Sequence, residues 1–219
     1  MASKLGILAS SAALALLAMA GTARADITVY TSLAAFQAAV GKTGTDTFDG
    51  LIPFQYLSPP IDRNAGSFTY TGTILNTGPG HSFINFVGGG TSDDPFLAAQ
   101  QAADTMSFSN FSAGVVAAGG NFFRTGNALD FMSGDVTVTA SDAGGTVTRT
   151  IAPTSATGGS FLGFVSTSGL ISFTAVSATN VQRSAGIDNL VLAAAVPEPA
   201  NWALAVAGLA CLALRRRRS

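Results

Sequence analysis

Apolar and polar residues alternate one by one along most of this chain, and this period of two constrains its fold more than any other feature. Successive side chains of a β-strand point to opposite faces, so the alternation predicts strands that bury one face. Gly, Ser, Asp and Pro, which favour turns, separate the segments. The predicted strands are 27–30, 45–51, 67–71, 82–87, 106–111, 115–118, 122–123, 135–140, 146–151, 161–166, 170–176 and 187–194.

Short strands at this spacing predict an all-β fold, an antiparallel β-sandwich or jelly roll. A β-helix is the alternative, because Gly and Thr are plentiful. No repeat of fixed length occurs, which disfavours a solenoid or propeller. One short helix is expected after the first strand. Residues 31–32 offer a cap, Leu33, Phe36 and Val40 fall on one face, and Gly41 ends it.

The first 25 residues have the pattern of a cleavable secretion signal, so they are left out of the fold. Lys4 precedes an apolar run from 5 to 19, and Ala23 and Ala25 supply the small residues of a cleavage site before Asp26. An uncleaved anchor helix is the alternative. The run is shorter than the ~20 residues that span a bilayer, which favours cleavage.

The chain ends in an apolar segment, 200–214, followed by a block of arginines. As a transmembrane helix this segment would reach about 22 Å, against a hydrocarbon core of ~30 Å. Trp202 suits the membrane interface, and the arginines favour a cytoplasmic end. A buried helix of the domain is the alternative, but a helix that is apolar all round suits a core poorly when it ends in this block. The block consists of Arg215, Arg216, Arg217 and Arg218.

The motif Val196, Pro197, Glu198, Pro199, the apolar segment and the arginines follow one another in the order and spacing of the PEP-CTERM sorting signal, which residues 196–219 resemble. The resemblance implies that the tail holds an exported protein in the inner membrane of a Gram-negative bacterium until an exosortase cuts near the motif. It also implies a link to biofilm and exopolysaccharide. Both prolines favour an extended backbone, which suits a protease-like site.

Between these ends, residues 26–195 are expected to form one domain with an acidic balance. They carry eleven Asp and five basic side chains, so their net charge is 5 − 11 = −6. Phosphate binding requires a basic surface, which excludes nucleic acid as a partner.

The body also resembles other PEP-CTERM bodies and, more loosely, jelly-roll carbohydrate-binding modules. The matching points are 48–50 (Phe-Asp-Gly) in an early strand, 163–164 (Gly-Phe) in a late strand, and 187–190 in the last. The resemblance to the modules implies a structural calcium held by Asp188 and Asp49, with Asp46 as a further match by place in the chain. Calcium prefers carboxylate and carbonyl oxygens, which such loops supply.

Asp188 needs a partner whatever the resemblance implies, because it interrupts an apolar strand and an unpaired buried carboxylate is costly. A metal, the backbone N–H groups of a turn, or an arginine would satisfy it. The alternative to calcium is therefore a carboxylate that bonds a neighbouring loop and turns the chain.

Residues for catalysis are scarce. The one His, His81, lies in a Gly-Pro-Gly turn, the one Glu lies in the tail motif, and there is no Gly-x-Ser-x-Gly turn. A hydrolase would need two Asp carboxyls about 5 to 9 Å apart in a cleft. The aromatic residues would bind sugar only if exposed, and a core position is their default. The candidates for such a platform are Tyr30, Phe54, Tyr56 and Tyr70.

The sequence therefore predicts a non-enzymatic, exported protein of the cell envelope or extracellular matrix, anchored as a precursor and associated with polysaccharide. A structural surface protein without glycan affinity and a secreted hydrolase are the alternatives. A concave patch with two or more exposed aromatic side chains would favour sugar binding over the structural alternative.

Replacing Glu198 with Ala should disturb sorting, because the motif that resembles the exosortase signal would be lost. We expect the full chain to accumulate uncut in the membrane fraction, as measured by immunoblotting of fractionated cells. Asp49→Ala, which lies in the body, serves as the control. Normal release of the Glu198 variant would contradict the sorting interpretation.

Overall fold

The computed structural model describes residues 26–75, 85–156, 159–177 and 184–196, which form two antiparallel sheets and one short helix, α1 (Leu33–Ala39). The strands are β1 (Ile27–Tyr30), β2 (Thr43–Asp46), β3 (Tyr56–Leu57), β4 (Ile61–Ala65), β5 (Phe68–Leu75), β6 (Phe86–Gly90), β7 (Pro95–Ala99), β8 (Thr105–Ser109), β9 (Val115–Thr125), β10 (Phe131–Met132), β11 (Val136–Asp142), β12 (Gly145–Ile151), β13 (Phe161–Ser166), β14 (Leu170–Ser177) and β15 (Ser184–Ala194).

Sheet A has the strand order β1-β13-β9-β15-β7-β6-β3, with β2 also paired to β15 and β10 to β9. Sheet B has the order β12-β11-β14-β8-β5-β4. Each sheet contains a set of four strands, β7-β15-β9-β13 in sheet A and β8-β14-β11-β12 in sheet B. The chain passes back and forth between these two sets, as in a jelly roll. The antiparallel sandwich is confirmed. The β-helix alternative is wrong, because the described strands pair antiparallel.

The inward faces of both sheets share one core, which consists largely of the apolar residues of the alternating pattern. Phe173 of β14 stacks on Phe108 of β8 at 4.7 Å between ring centroids. The same ring meets Phe122 of β9 edge-on at 6.1 Å, which links sheet B to sheet A. Aromatic pairs in such geometries add to the burial of apolar area, so this cluster holds the two layers together.

Helix α1 covers part of the outer face of sheet A. Ser32 caps it, since its side chain accepts a hydrogen bond from the N–H of Ala35 at 3.3 Å. Phe36 is fully buried and meets Phe161 of β13 edge-on at 5.6 Å. The expectation that Leu33 shares this buried face was wrong. Leu33 is 41% exposed, because a helix of two turns covers the sheet only around Phe36 and Val40.

The predicted secretion signal, residues 1–25, and the predicted sorting tail beyond Val196 lie outside the described residues. Among the residues that are described, no helix is long and apolar enough to cross a membrane. The predicted site residues outside the described ranges are Ala23, Ala25, Pro197, Glu198, Pro199, Trp202, Arg215, Arg216, Arg217 and Arg218.

Replacing Gly163 with Ala should destabilise the fold, because a Cβ at this position would overlap the ring of Phe36, at 2.9 Å from its Cε2. Overpacking of this kind costs about 1–3 kcal/mol. A smaller side chain in Phe36→Leu should relieve part of the cost in the double variant, as measured by urea unfolding. Additive effects of the two substitutions would contradict this account of the contact.

Candidate functional site

A buried ion pair joins the two sheets near the end of β2. Arg63 of β4 donates from Nε and Nη2 to the two carboxylate oxygens of Asp46, at 2.7 and 2.8 Å. The hydroxyl of Tyr70 on β5 donates to the same carboxylate at 2.7 Å, and so does the N–H of Phe48 at 2.8 Å. Asp46 is 5% exposed, yet both of its oxygens are bonded, as a buried carboxylate requires.

This arrangement fixes the charge states of its members. The hydrogen bonds with Asp46 raise the pKa of Arg63, which therefore stays a cation. Burial, followed by the charge of Asp46, raises the pKa of Tyr70, so its hydroxyl remains protonated and keeps donating. The guanidinium also lies over the ring of Phe48, 5.1 Å from its centroid, a cation–π geometry.

The ion pair forms the floor of an open polar cleft of about 340 Å³. Its walls offer hydroxyls, an amide and carboxylates but little apolar surface. Of its acidic groups, Asp46 is committed to Arg63 and Tyr70, and Asp62 accepts a hydrogen bond from Thr71 at 2.8 Å. The cleft is therefore suited to hydrogen bonding with a polar ligand. The lining residues are Thr45, Asp46, Thr47, Asp49, Asp62, Arg63 and Asn64.

Three large apolar side chains project into solvent a few residues beyond this cleft. Ile52, Phe54 and Tyr56 are 65%, 56% and 60% exposed, at alternate positions that lead into the edge strand β3. Ile52 is the third residue after Asp49, so their Cα atoms lie at most about 11 Å apart. Phe54 and Tyr56 thus supply two exposed aromatic rings, although neither lines the polar cleft. Tyr70 is buried and Tyr30 half-buried, so neither belongs to this patch.

The segment that carries this aromatic pair is tied to β6 by backbone hydrogen bonds. The N–H of Phe54 donates to the carbonyl of Gly88 at 2.9 Å, and the N–H of Gly88 donates to the carbonyl of Gln55 at 2.9 Å. A Cβ on Gly88 would lie 2.6 Å from the carbonyl oxygen of Ile52, so only glycine permits this approach. The rings therefore project from an ordered backbone and lose little freedom when a ligand binds.

Asp188 lies on β15, which is irregular there, since the register with β9 shifts between Asp188 and Val191. Its carboxylate accepts hydrogen bonds from the backbone N–H and the side-chain amide of Asn189, both at 2.6 Å. Asn189 adopts a φ of 51°, a left-handed conformation that asparagine tolerates. The partner of Asp188 is thus the next residue of β15, and not the neighbouring loop of the alternative to calcium.

Burial raises the pKa of Asp188 to about 6, although the hydrogen bonds from Asn189 oppose this, and the nearby charge of Asp94 adds to the rise. Asp49 lies in the polar cleft and Asp46 is bonded to Arg63. Within the described ranges, no group of three His, Cys, Asp or Glu side chains is placed to hold a metal ion. Calcium at Asp188 and Asp49 remains a prediction.

A second open cleft, of about 450 Å³, lies beside the β11–β12 turn, lined by Asp26 and Asp142 among others. Asp142 caps this turn by accepting from the N–H groups of Gly144 and Gly145, at 2.7 and 3.1 Å. Burial opposes its ionisation, but the hydrogen bonds from Ser166 and from these N–H groups hold the pKa of Asp142 below its ordinary value. This carboxylate serves the turn and is already satisfied.

No family model and no curated protein matches the chain. Two solved structures of family 11 carbohydrate-binding modules from Clostridium thermocellum are similar to it. One, in complex with a β-1,3-1,4-mixed-linked tetrasaccharide, is 11% identical, with 70% of this chain and 96% of that chain covered and a TM-score of 0.32. The other, from a cellulosomal cellulase, is 13% identical, with 74% and 99% covered and a TM-score of 0.31. TM-scores this low do not establish a shared fold or function.

The folded protein should lose stability as the pH rises from about 4 to about 6. In this window the unfolded chain releases the Asp188 proton, while the folded chain, with a raised pKa, retains it. Asp188→Asn has no such proton and should flatten the profile, whereas the exposed Asp49→Asn should not. Urea midpoints of the full chain at several pH values would measure this. Parallel profiles for the wild type and Asp188→Asn would contradict it.

Proposed function

We propose that this protein is an exported, non-enzymatic component of the cell envelope or extracellular matrix that associates with polysaccharide through Phe54 and Tyr56. The observation that carries the proposal is the exposure of these two rings on an ordered sheet edge. Sugars present C–H groups on their ring faces and hydroxyls at their edges. The aromatic pair and the polar cleft, which are carried by neighbouring segments of the chain, offer surfaces for both.

The proposed route to the surface rests on the sequence of the two ends. A signal peptide directs export, the tail anchors a precursor in the inner membrane, and an exosortase cuts near residues 196–199. The end of the last strand supports a sorting motif that an exosortase can reach. Strand β15 ends at Ala194, and Val196, the first residue of the motif, is 49% exposed. The tail therefore leaves the body from an exposed point.

Two buried carboxylates of the body are used by the fold, which supports a structural and not a catalytic role for them. Asp46 is fixed by Arg63, Tyr70 and the N–H of Phe48, so it has no free oxygen with which to attack a substrate or hold a water. Asp142 is bonded in the same way within its turn. These side chains hold the fold together and leave ligand contact to the aromatic pair and the open walls of the cleft.

Removing both rings should weaken polysaccharide binding about five- to 140-fold, on the basis of roughly 0.5–1.5 kcal/mol for each aromatic contact. The test is affinity electrophoresis of the full chain, purified from expressing cells, in gels that contain polysaccharide extracted from the matrix of the same cells. Phe54→Ala with Tyr56→Ala should migrate freely where the wild type is retarded. Gly88→Ala, which displaces the backbone under the rings, should also weaken binding.

Leu33→Ala is the matched control, because Leu33 is an exposed apolar residue on α1, outside the proposed surface. It should bind as the wild type does. Wild-type protein that is not retarded would favour a structural surface protein without glycan affinity. Shortening of the polysaccharide by the wild type would favour the hydrolase instead.

A further inference from the structure

The outer face of sheet B is covered by hydroxyl-bearing side chains arranged in rows across the strands. The alternate residues, such as Val138, Phe173 and Phe108, point into the core, so the residues between them point outward. Strand pairing aligns the outward residues of five strands. The first row runs from β12 to β5 and contains Thr148, Thr139, Thr174, Ser107 and Thr73. Ser107 is buried, so the four threonines supply the accessible hydroxyls of this row.

A second row lies beside the first, two residues further along each strand. We call the two rows together the hydroxyl face. Adjacent hydroxyls are spaced about 4.8 Å across the strands and about 6.8 Å along them, as sheet geometry dictates. The second row contains Thr146, Ser141, Ser172, Ser109 and Thr71.

The hydroxyl face carries no charge within its two rows. The charged neighbour is Asp62, which is paired with Thr71 at the β4 end of the second row and bonded to its hydroxyl at 2.8 Å. Charged residues make up 11% of the whole chain, and none of them lies in the two rows. A face without cations has no charge with which to attract a polyanion such as a polyuronate. It suits a partner that is itself uncharged.

One pair of hydroxyls within this face is held in place before any ligand arrives. Thr139 and Thr148 are hydrogen-bonded across the strands at 2.9 Å, and the pair Thr137 and Thr150, which flanks the face, is bonded in the same way at 2.9 Å. Threonine is also stiff at χ1 because it is β-branched. Each bonded pair still has one O–H donor and three lone pairs for a ligand. Binding at the Thr139–Thr148 pair would therefore order few additional rotamers.

We propose that the hydroxyl face is a second docking surface, and that its ligand is an uncharged, hydroxyl-rich polysaccharide lying across the rows. This rests on the proposed association with polysaccharide, and it adds the class of polymer and a contact distant in sequence from the aromatic pair. Sugar hydroxyls both donate and accept, as the Thr and Ser hydroxyls do. A second copy of the chain fits less well, because the face offers little apolar area to drive association.

The test uses the full chain and matrix polysaccharide from expressing cells, separated by anion exchange into an uncharged and an anionic fraction. The variant Thr139→Val, Thr148→Val, Thr174→Val removes three hydroxyls while it keeps side-chain shape and β-propensity. We expect affinity for the uncharged fraction to fall at least about tenfold. Thr139→Ser, Thr148→Ser, Thr174→Ser keeps the hydroxyls and should retain binding.

A control, Thr28→Val with Thr154→Val, alters exposed threonines outside the hydroxyl face and should bind as the wild type does. Unchanged binding by the three-valine variant, together with loss in Phe54→Ala, Tyr56→Ala, would overturn this inference and leave the proposed function standing. Binding to the anionic fraction alone would overturn the assignment of an uncharged polymer. If the wild type bound neither fraction, both proposals would fail.

Discussion

The buried ion pair between Asp46 and Arg63 is the interaction on which the rest of the site depends. Removing two charges from water costs several kcal/mol per ion, and only good geometry with further hydrogen bonds offsets that cost. Here Arg63 binds with two nitrogens while Tyr70 and the N–H of Phe48 occupy the remaining acceptor positions. Loss of one partner would leave the other charge buried and unpaired, which would weaken the contact between β2 and sheet B.

The ion pair also determines where the chain goes after β2. The carboxylate of Asp46 binds the N–H of Phe48, whose φ is 58°, so the chain turns out of sheet A at that point. The segment that follows leads through Ile52 to the aromatic pair and joins β6 by backbone hydrogen bonds. A contact that is internal to the sandwich thus positions the side chains that are most exposed at its edge.

The sequence predicted those elements whose evidence is local. The hairpin of β11 and β12 follows from two alternating segments joined by a turn that Asp142 caps. By contrast, β9 was predicted as two strands interrupted at residues 119–120. Those glycines lie within the strand. Gly119 has to be glycine because a Cβ there would lie 2.8 Å from the carbonyl oxygen of Leu162 on β13. Glycine required by a neighbouring strand and glycine required by a turn look the same in a sequence.

The candidate site was harder to predict, because its contacts join residues that are distant in the chain. Asp46 was considered only as a companion of Asp188, whereas its partners are Arg63 and Tyr70, 17 and 24 residues away. A core position was the default for both Tyr56 and Tyr70, yet Tyr56 is exposed at a sheet edge and Tyr70 is buried in the core. Only the order of strands distinguishes them.

The hydroxyl face was present in the sequence from the start, in the polar half of the alternation that predicted the sandwich. The apolar residues of the alternation drive the two sheets together, because their burial is favourable. Threonine also favours strands, so folding alone accounts for much of the polar half. Folding does not require that the hydroxyls line up in rows without a charge between them, and contact with an uncharged polymer accounts for that arrangement.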